Sequence, residues 1–316
     1  MDNRIDAILN EVKKVIVGKD DVVRKVLMAV LAGGHVLLED VPGVGKTQLA
    51  LAFSKAMGLS YGRVQFTPDT MASDIVGFSV YNKTTGAFDY RPGAVFCNFF
   101  LGDEINRTSA KTQAALLQVM EELQVTVDGK TYVLPDPFVC IATQNPLGSV
   151  GTHSLPDSQL DRFMVRLSMG YPTVEDTLRI VKERESSSPL DAVRAVVSVE
   201  DIRRMRQKVS GVYIADELIR YASQLCEATR SHGDIEQGVS PRAVLALVQM
   251  AKASAYLAGR DYVVPDDISA MFADVCGHRL ILTPRAKIRK RTASAVLKDV
   301  LGSVRAPSPA DRKQES

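Results

Sequence analysis

Apolar residues recur at helical spacing near the start of the chain. Ile5, Ile8, Leu9, Val12 and Val15 predict a helix over residues 3–16. Val22, Val23, Val26, Leu27 and Val30 predict a second helix, starting after Asp20 as N-cap. "HVLLE" (35–39) is a short apolar strand running into a glycine-rich loop, and "TQLALAFSKAM" returns to helical periodicity before Gly58. "YGRVQFT" (61–67) predicts another strand, whereas residues 68–94, rich in Gly, Pro, Asp and Thr, read as loop with room for a hairpin. "AVFCNFFLGDE" (94–104) and "FVCIATQN" (138–145) are nearly continuous apolar runs ending in polar groups, the pattern of strands buried on both faces of a parallel sheet. Between them lie a helix over 109–123 and the hairpin "VTVDGKTYVL", turned at Asp128-Gly129. "LDRFMVRLSM" (160–169) carries the last strand.

This alternation predicts a doubly wound α/β domain over residues 1–171, with ligands expected at the carboxyl ends of its strands. After Tyr171-Pro172 the pattern becomes helical, over 174–185, 200–208, 215–230, 240–259, 266–275 and 285–301. A smaller all-helical domain is therefore expected over 172–303, followed by a disordered polar tail over 304–316.

Composition narrows the function classes. The chain has 316 residues, 46% of them hydrophobic and 24% charged, and a net charge of +2, so no bulk field draws it to nucleic acid or membrane. No apolar run reaches the roughly 18–20 residues that a membrane helix needs, and the N-terminus reads as an amphipathic helix, so a cytoplasmic location is expected. Cys97, Cys140, Cys226 and Cys276 sit mostly in apolar segments and are expected to be buried thiols. Cys276 and His278 form a C-x-H pair with no second pair nearby, which does not make a zinc site.

The chemistry centres on "EDVPGVGKT" (39–47). It departs from the phosphate-loop pattern G-x-x-x-x-G-K-[ST] only at its first position, where Asp40 replaces glycine. A strand precedes it and a helix follows, so consecutive backbone N–H groups would face an anion beside a positive helix N-terminus. Pro42, Gly43, Val44, Gly45, Lys46, Thr47 and Gln48 are the expected nucleotide-binding residues, with Lys46 on the β- and γ-phosphates and Thr47 on Mg²⁺. The short side chain of Asp40 tolerates the turn and is expected to point away from the phosphates and cap backbone N–H groups. A ligand-free glycine turn would suit this stretch alone. Asp103 and Glu104, in tandem after a buried strand, decide against it. Asp103 is placed to hold Mg²⁺ opposite Thr47, and Glu104 to polarise the attacking water.

The blocks "EDVPGVGKT", "DEINRTSAKTQAALLQVMEE", "VTVDGKTYVLPDPFVCIATQNP", "LPDSQLDRF" and "SPRAVLAL" together resemble the MoxR family of AAA+ ATPases, over roughly residues 3–303. The resemblance implies an α/β AAA+ core, a helical lid, ATP and Mg²⁺ as ligands, and ATP hydrolysis. It implies that Asn145 is the sensor 1 residue, Arg162 an arginine finger reaching a neighbour's γ-phosphate, and Arg242 the sensor 2 residue at the start of a lid helix. Val17 and Gly18 match the segment on the adenine side, and Asp at position 40 is a variation found in some members. The family belongs to the branch with a hairpin inserted in helix 2, and the "VTVDGKTYVL" hairpin fits that insert.

A finger acting on a neighbouring subunit implies a homo-oligomeric ring, expected to be a hexamer, with a hinge near Tyr171-Pro172 and motion passed to a partner through the hairpin. The family reading is a chaperone-like activator of client proteins that aids metal or cofactor insertion, with clients that often carry a von Willebrand factor A domain. A magnesium-chelatase-like ATPase subunit and a nucleic-acid motor are the competing readings. The basic run "RAKIRKR" (285–291) would suit the motor, but near-neutral charge and the lack of interleaved aromatics argue against it. Nothing in the chain identifies the client.

Overall fold

The computed structural model describes residues 2–145, 155–186 and 188–307. Most of the predicted tail therefore lies outside the described residues. Two helices, α1 (Asn3–Lys13) and α2 (Asp20–Leu31), lead into β1 (Val36–Glu39), the glycine-rich loop and α3 (Lys46–Ala56). Then come β2 (Tyr61–Gln65), α4 (Ala72–Val76), β3 (Gly77–Asn82), β4 (Ala87–Pro92), β5 (Phe99–Asp103) and α5 (Ala110–Glu122). The core closes with β6 (Gln124–Val127), β7 (Lys130–Val133), β8 (Val139–Gln144), α6 (Asp157–Leu160) and β9 (Val165–Leu167).

Five strands form one parallel sheet in the order β2-β5-β8-β1-β9. The interior strands β5 and β8 are buried at every position, which is why their sequences are continuous apolar runs rather than alternating ones. Side chains divide between two layers by strand parity. Val36, Leu38, Phe99, Leu101 and Ile141 pack toward the cluster that contains α1–α3. Leu37, Phe100, Cys140 and Ala142 pack toward α5. The register sets Gln65 opposite Asp103 and Glu39 opposite Gln144, so four strands end at nearly one level. That level carries the phosphate loop.

The lid comprises α7 (Val174–Ser186), α8 (Val199–Ser210), α9 (Asp216–Ser231), β10 (Ile235–Gln237), α10 (Pro241–Leu257), α11 (Pro265–Cys276), β11 (Ile281–Leu282), α12 (Pro284–Ile288) and α13 (Ala293–Ser303). It is held to the core by Arg279, whose side chain is 2% exposed. Its Nε donates to Asp161 Oδ1 at 2.8 Å and its Nη2 to the Phe163 carbonyl at 2.6 Å. Ser240, just before α10, donates to the other Asp161 oxygen at 2.9 Å.

Several sequence expectations need correction. The hairpin β6–β7 turns at Asp128 and Gly129, both at positive φ as a type I′ turn requires, but it is not the helix 2 insert. Counting helices from the phosphate loop, α3 is the first, α4 the second and α5 the third. The hairpin directly after the second is β3–β4, within the 68–94 stretch read as loop with room for a hairpin. Its strands expose Phe78, Val80, Tyr81 and Phe88. Only the second half of 94–104 is strand; the first half is turns, closed by bonds such as Cys97 N–H to the Val95 carbonyl at 2.7 Å. The helix expected over 285–301 is broken at Lys290, φ 55°, and restarts where the Thr292 side chain caps α13. The basic run thus spans a short helix and a break rather than one helical face. Asp20 is the first residue of α2, not its cap. The lid is not purely helical, since β10 and β11 pair antiparallel.

Candidate functional site

β1 is four residues long and delivers the chain into the loop at Asp40. Gly43 and Gly45 adopt φ 87° and 99°, angles at which a Cβ would be strained, so glycine is needed at both. A cavity of about 290 Å³ opens here, lined by Pro42, Gly43, Gly45, Lys46, Thr47, Gln48, Asp103, Glu104 and Asn145. Val44 is half-buried and packs on the core beneath. Lys46 is buried; its Nζ donates to the Asp40 carbonyl at 2.6 Å and to Asn145 Oδ1 at 3.4 Å. Among the described residues no carboxylate lies within ion-pair distance of that ammonium. Burial lowers its pKa from the ordinary lysine value, against the pull of the Asp40, Asp103 and Glu104 carboxylates. A buried cation held by neutral acceptors is placed for an incoming anion.

The missing first glycine is explained by where Asp40 points. Its carboxylate is turned away from the cavity onto the end of β9. There it accepts the Ser168 hydroxyl at 3.0 Å, the Gly170 N–H at 3.1 Å and the Met169 N–H. The phosphate loop is thereby tied to the segment that joins β9 to α7.

The acids sit across the cavity. Thr47 Oγ1 lies 3.4 Å from Asp103 Oδ2, an oxygen pair that fits a Mg²⁺ ion completed by phosphate and water. The Thr143 hydroxyl donates to Asp103 Oδ1 at 2.6 Å and accepts the Glu104 N–H at 2.9 Å, fixing both acids from the neighbouring strand. Glu104 adopts φ 58°, a backbone state uncommon for a side chain of its size. Its Oε1 accepts from Asn145 Nδ2 at 3.1 Å and its Oε2 pairs with Arg107 at 3.1 Å. Asn145 thus touches Lys46 through its oxygen and Glu104 through its nitrogen.

Arg162 and Arg242 are elsewhere. Arg162 Nε donates to Glu121 Oε2 at 2.8 Å, and Arg242 Nη2 donates to Glu121 Oε1. Both line a second cavity of about 270 Å³ that shares no lining residue with the phosphate cavity. Arg242 therefore lines a different cavity from its own chain's phosphate loop. Val17 is buried. Gly18, φ 71°, lies so close to Asp176 that a Cβ would come within 2.2 Å of its carboxylate. The neighbouring Ile16 flanks Gly45 together with Met169. His278 is buried, its ring 3.0 Å from the Phe163 carbonyl, and Cys276 is a free buried thiol.

The profile of the ATPase family associated with various cellular activities (AAA) matches residues 35–165, and an AAA lid domain profile matches residues 227–300. Chaperone MoxR1 of Mycobacterium tuberculosis is 38% identical across 94% of this chain and 81% of its own. The chain belongs to the MoxR family of AAA+ ATPases. The uncharacterized protein YeaC of Bacillus subtilis is 45% identical across 95% of this chain and 93% of its own. A crystal structure of a Cytophaga hutchinsonii protein classed as an ATPase superposes with a TM-score of 0.90 at 37% identity, covering 97% of this chain and 96% of that one.

Within this MoxR-family site, four residues escape the sequence reading. Thr143 lies inside an apolar run and looks like strand filling. Arg63, on β2, donates to Asp103 Oδ2 at 2.8 Å, and only the β2–β5 pairing brings it there. Arg107 lies in the quoted "DEINR" block, at the i+3 spacing that pairs it with Glu104. Glu121 is one of two adjacent glutamates at a helix end, and nothing local distinguishes it from Glu122.

Proposed function

We propose that this chain hydrolyses ATP as a homo-oligomeric ring and uses the cycle to remodel or activate a client protein. In each site, Lys46 and the loop N–H groups from Gly43 onward bind the β- and γ-phosphates. Thr47 and Asp103 hold Mg²⁺, which supplies charge neutralisation at the transferred phosphoryl group. Glu104 takes the proton of the attacking water, and Asn145 positions both that carboxylate and the Lys46 ammonium. Val17 and Gly18 lie toward the base. Arg162 and Arg242 act on the next subunit's γ-phosphate.

The observation that carries this reading is the Lys46 ammonium, buried in a glycine-lined cavity that Thr47 and Asp103 also line, with no carboxylate at ion-pair distance among the described residues. Placement of both arginines on a separate cavity supports a shared site, because within one chain they serve no phosphate loop. Six copies are the expected ring size. The α/β core up to about Tyr171 and the lid beyond it would move as two bodies as ATP and ADP make different contacts.

A chaperone-like role is supported by the name of the Mycobacterium relative and by the apolar side chains exposed on hairpin β3–β4. Metal or cofactor insertion into a client, for instance one with a von Willebrand factor A domain, is the specific form we favour. In the basic run 285–291, Arg291 pairs with Asp234 and Asp299, and the near-neutral net charge argues against a nucleic-acid motor. No described helix is long and apolar enough to cross a membrane.

The deciding experiment is specific ATPase activity against protein concentration. Activity should fall as the ring dissociates; constant specific activity down to demonstrated monomer would overturn the shared site. Capture of a client by the ATP-loaded Glu104→Gln protein, and not by the ADP-loaded protein, tests the remodelling role.

A further inference from the structure

We infer that Glu121 is the positioning residue for Arg162 and Arg242, holding the two guanidinium groups as one preformed pair for the neighbouring subunit's triphosphate. The inference rests on the shared-site reading above. The Glu121 carboxylate, in the last turn of α5, collects two side chains: Arg162 from the turn after α6 and Arg242 from the first turn of α10. Each carboxylate oxygen takes one arginine, Oε2 from Arg162 Nε at 2.8 Å and Oε1 from Arg242 Nη2. Arg162 Nη1 also donates to the Ser158 carbonyl at 3.1 Å, so its plane is fixed at two edges.

Two guanidinium groups bound to one carboxylate repel each other, and a long, part-exposed arginine loses rotamer freedom when ordered. A single charge placed between them offsets the repulsion and orders both at once. Glu121 responds as such a group does: the hydrogen bond from Arg162 leads in lowering its pKa below the usual carboxylate value, with the charge of Arg242 adding to it. Each guanidinium has five N–H donors, so one edge can stay on Glu121 while others meet phosphate oxygens. The arrangement is specific to this glutamate. Its neighbour Glu122 accepts from Gln118 Nε2 at 3.0 Å, one turn back along the same helix. Glu121 also stands three residues before β6, so the pair it organises joins the lid helix, the finger and the base of the β6–β7 hairpin.

The test is a mutant cycle on the full chain at a concentration where it is assembled, with oligomeric state followed by sedimentation and nucleotide binding by a fluorescent ADP analogue. Glu121→Ala should lower kcat about tenfold, a part of the loss that removing a charge-stabilising group causes, with KM and ADP affinity within about twofold. Glu122→Ala should leave kcat unchanged. In a background that carries both Arg162→Ala and Arg242→Ala, Glu121→Ala should cause a much smaller further loss, because both groups it positions are gone. An equal factor lost in both backgrounds, an unchanged or raised kcat, or dissociation caused by Glu121→Ala alone would overturn the positioning role. Should Arg162→Ala lower turnover while Glu121→Ala is silent, only this inference fails. Should Arg162→Ala itself leave turnover intact, the shared-site reading fails and takes the inference with it.

Discussion

Asp40 and Gly170 are joined by a hydrogen bond of 3.1 Å between the Asp40 carboxylate and the Gly170 backbone N–H, across 130 residues of chain. The residue that breaks the phosphate-loop pattern is therefore the one that fastens the loop to the segment that joins β9 to α7. Asp40→Gly would restore the pattern and delete three bonds to a buried carboxylate. Bonds to charged groups contribute roughly 1.5–3 kcal/mol each, and water entering the site recovers part, so a net loss of about 2–4 kcal/mol is expected. Denaturant unfolding measures it, and nucleotide affinity should change little. An Asp40→Gly protein as stable as the parent would show that the latch contributes nothing.

Glu104→Gln keeps the shape and the bond to Asn145 but cannot take a proton. Turnover should drop by about 10²–10⁴, the usual contribution of a positioned base, while ATP binding persists. Lys46→Ala should instead lose nucleotide affinity. Single-turnover hydrolysis and equilibrium binding separate the two; normal turnover in Glu104→Gln would assign the base elsewhere.

His35 makes stability depend on pH. Its Nδ1 accepts the Cys140 N–H at 3.1 Å, so its Nε2 carries the hydrogen that meets the Met120 carbonyl at 2.9 Å, and the ring must be neutral. Burial depresses its pKa from the ordinary 6.5 to about 4. Between those values the unfolded chain binds the proton and the folded chain does not, so stability falls as pH drops from 6.5 toward 4. At the acid end the loss approaches about 3 kcal/mol for this group. Urea unfolding at several pH values should show a shallower slope for His35→Gln than for the parent over this window, and identical slopes would rule the histidine out.

Buried and exposed arginines should behave oppositely in stability. Arg279→Ala leaves Asp161 unpaired at the lid contact and should cost about 3–5 kcal/mol. Arg162→Ala removes a pair whose partners are 28% and 40% exposed, and should cost about 1 kcal/mol or less. Thermal unfolding of the unassembled chain makes the comparison; equal losses would contradict the assignment of Arg279 as the structural tie and Arg162 as a functional group.

By itself, the sequence determined the apolar interior strands in outline and the longer helices, that a phosphate loop stands between a strand and a helix, and that two acids end the next interior strand. These are local properties: periodicity, apolar run length and residue chemistry at fixed spacing survive without knowledge of neighbours. Even the outward turn of Asp40 followed from its size and charge. Tertiary structure alone decided what Asp40 caps, that Thr143 and Arg63 brace Asp103, and that Glu121 gathers both arginines, because each contact joins residues about 40 to 130 positions apart through the sheet or the lid. It also decided which hairpin follows the second helix. That depends on the order of elements after the phosphate loop, and the short alternations Phe78/Val80 and Phe88/Tyr90 lie in a stretch whose Gly, Pro, Asp and Thr content reads as loop.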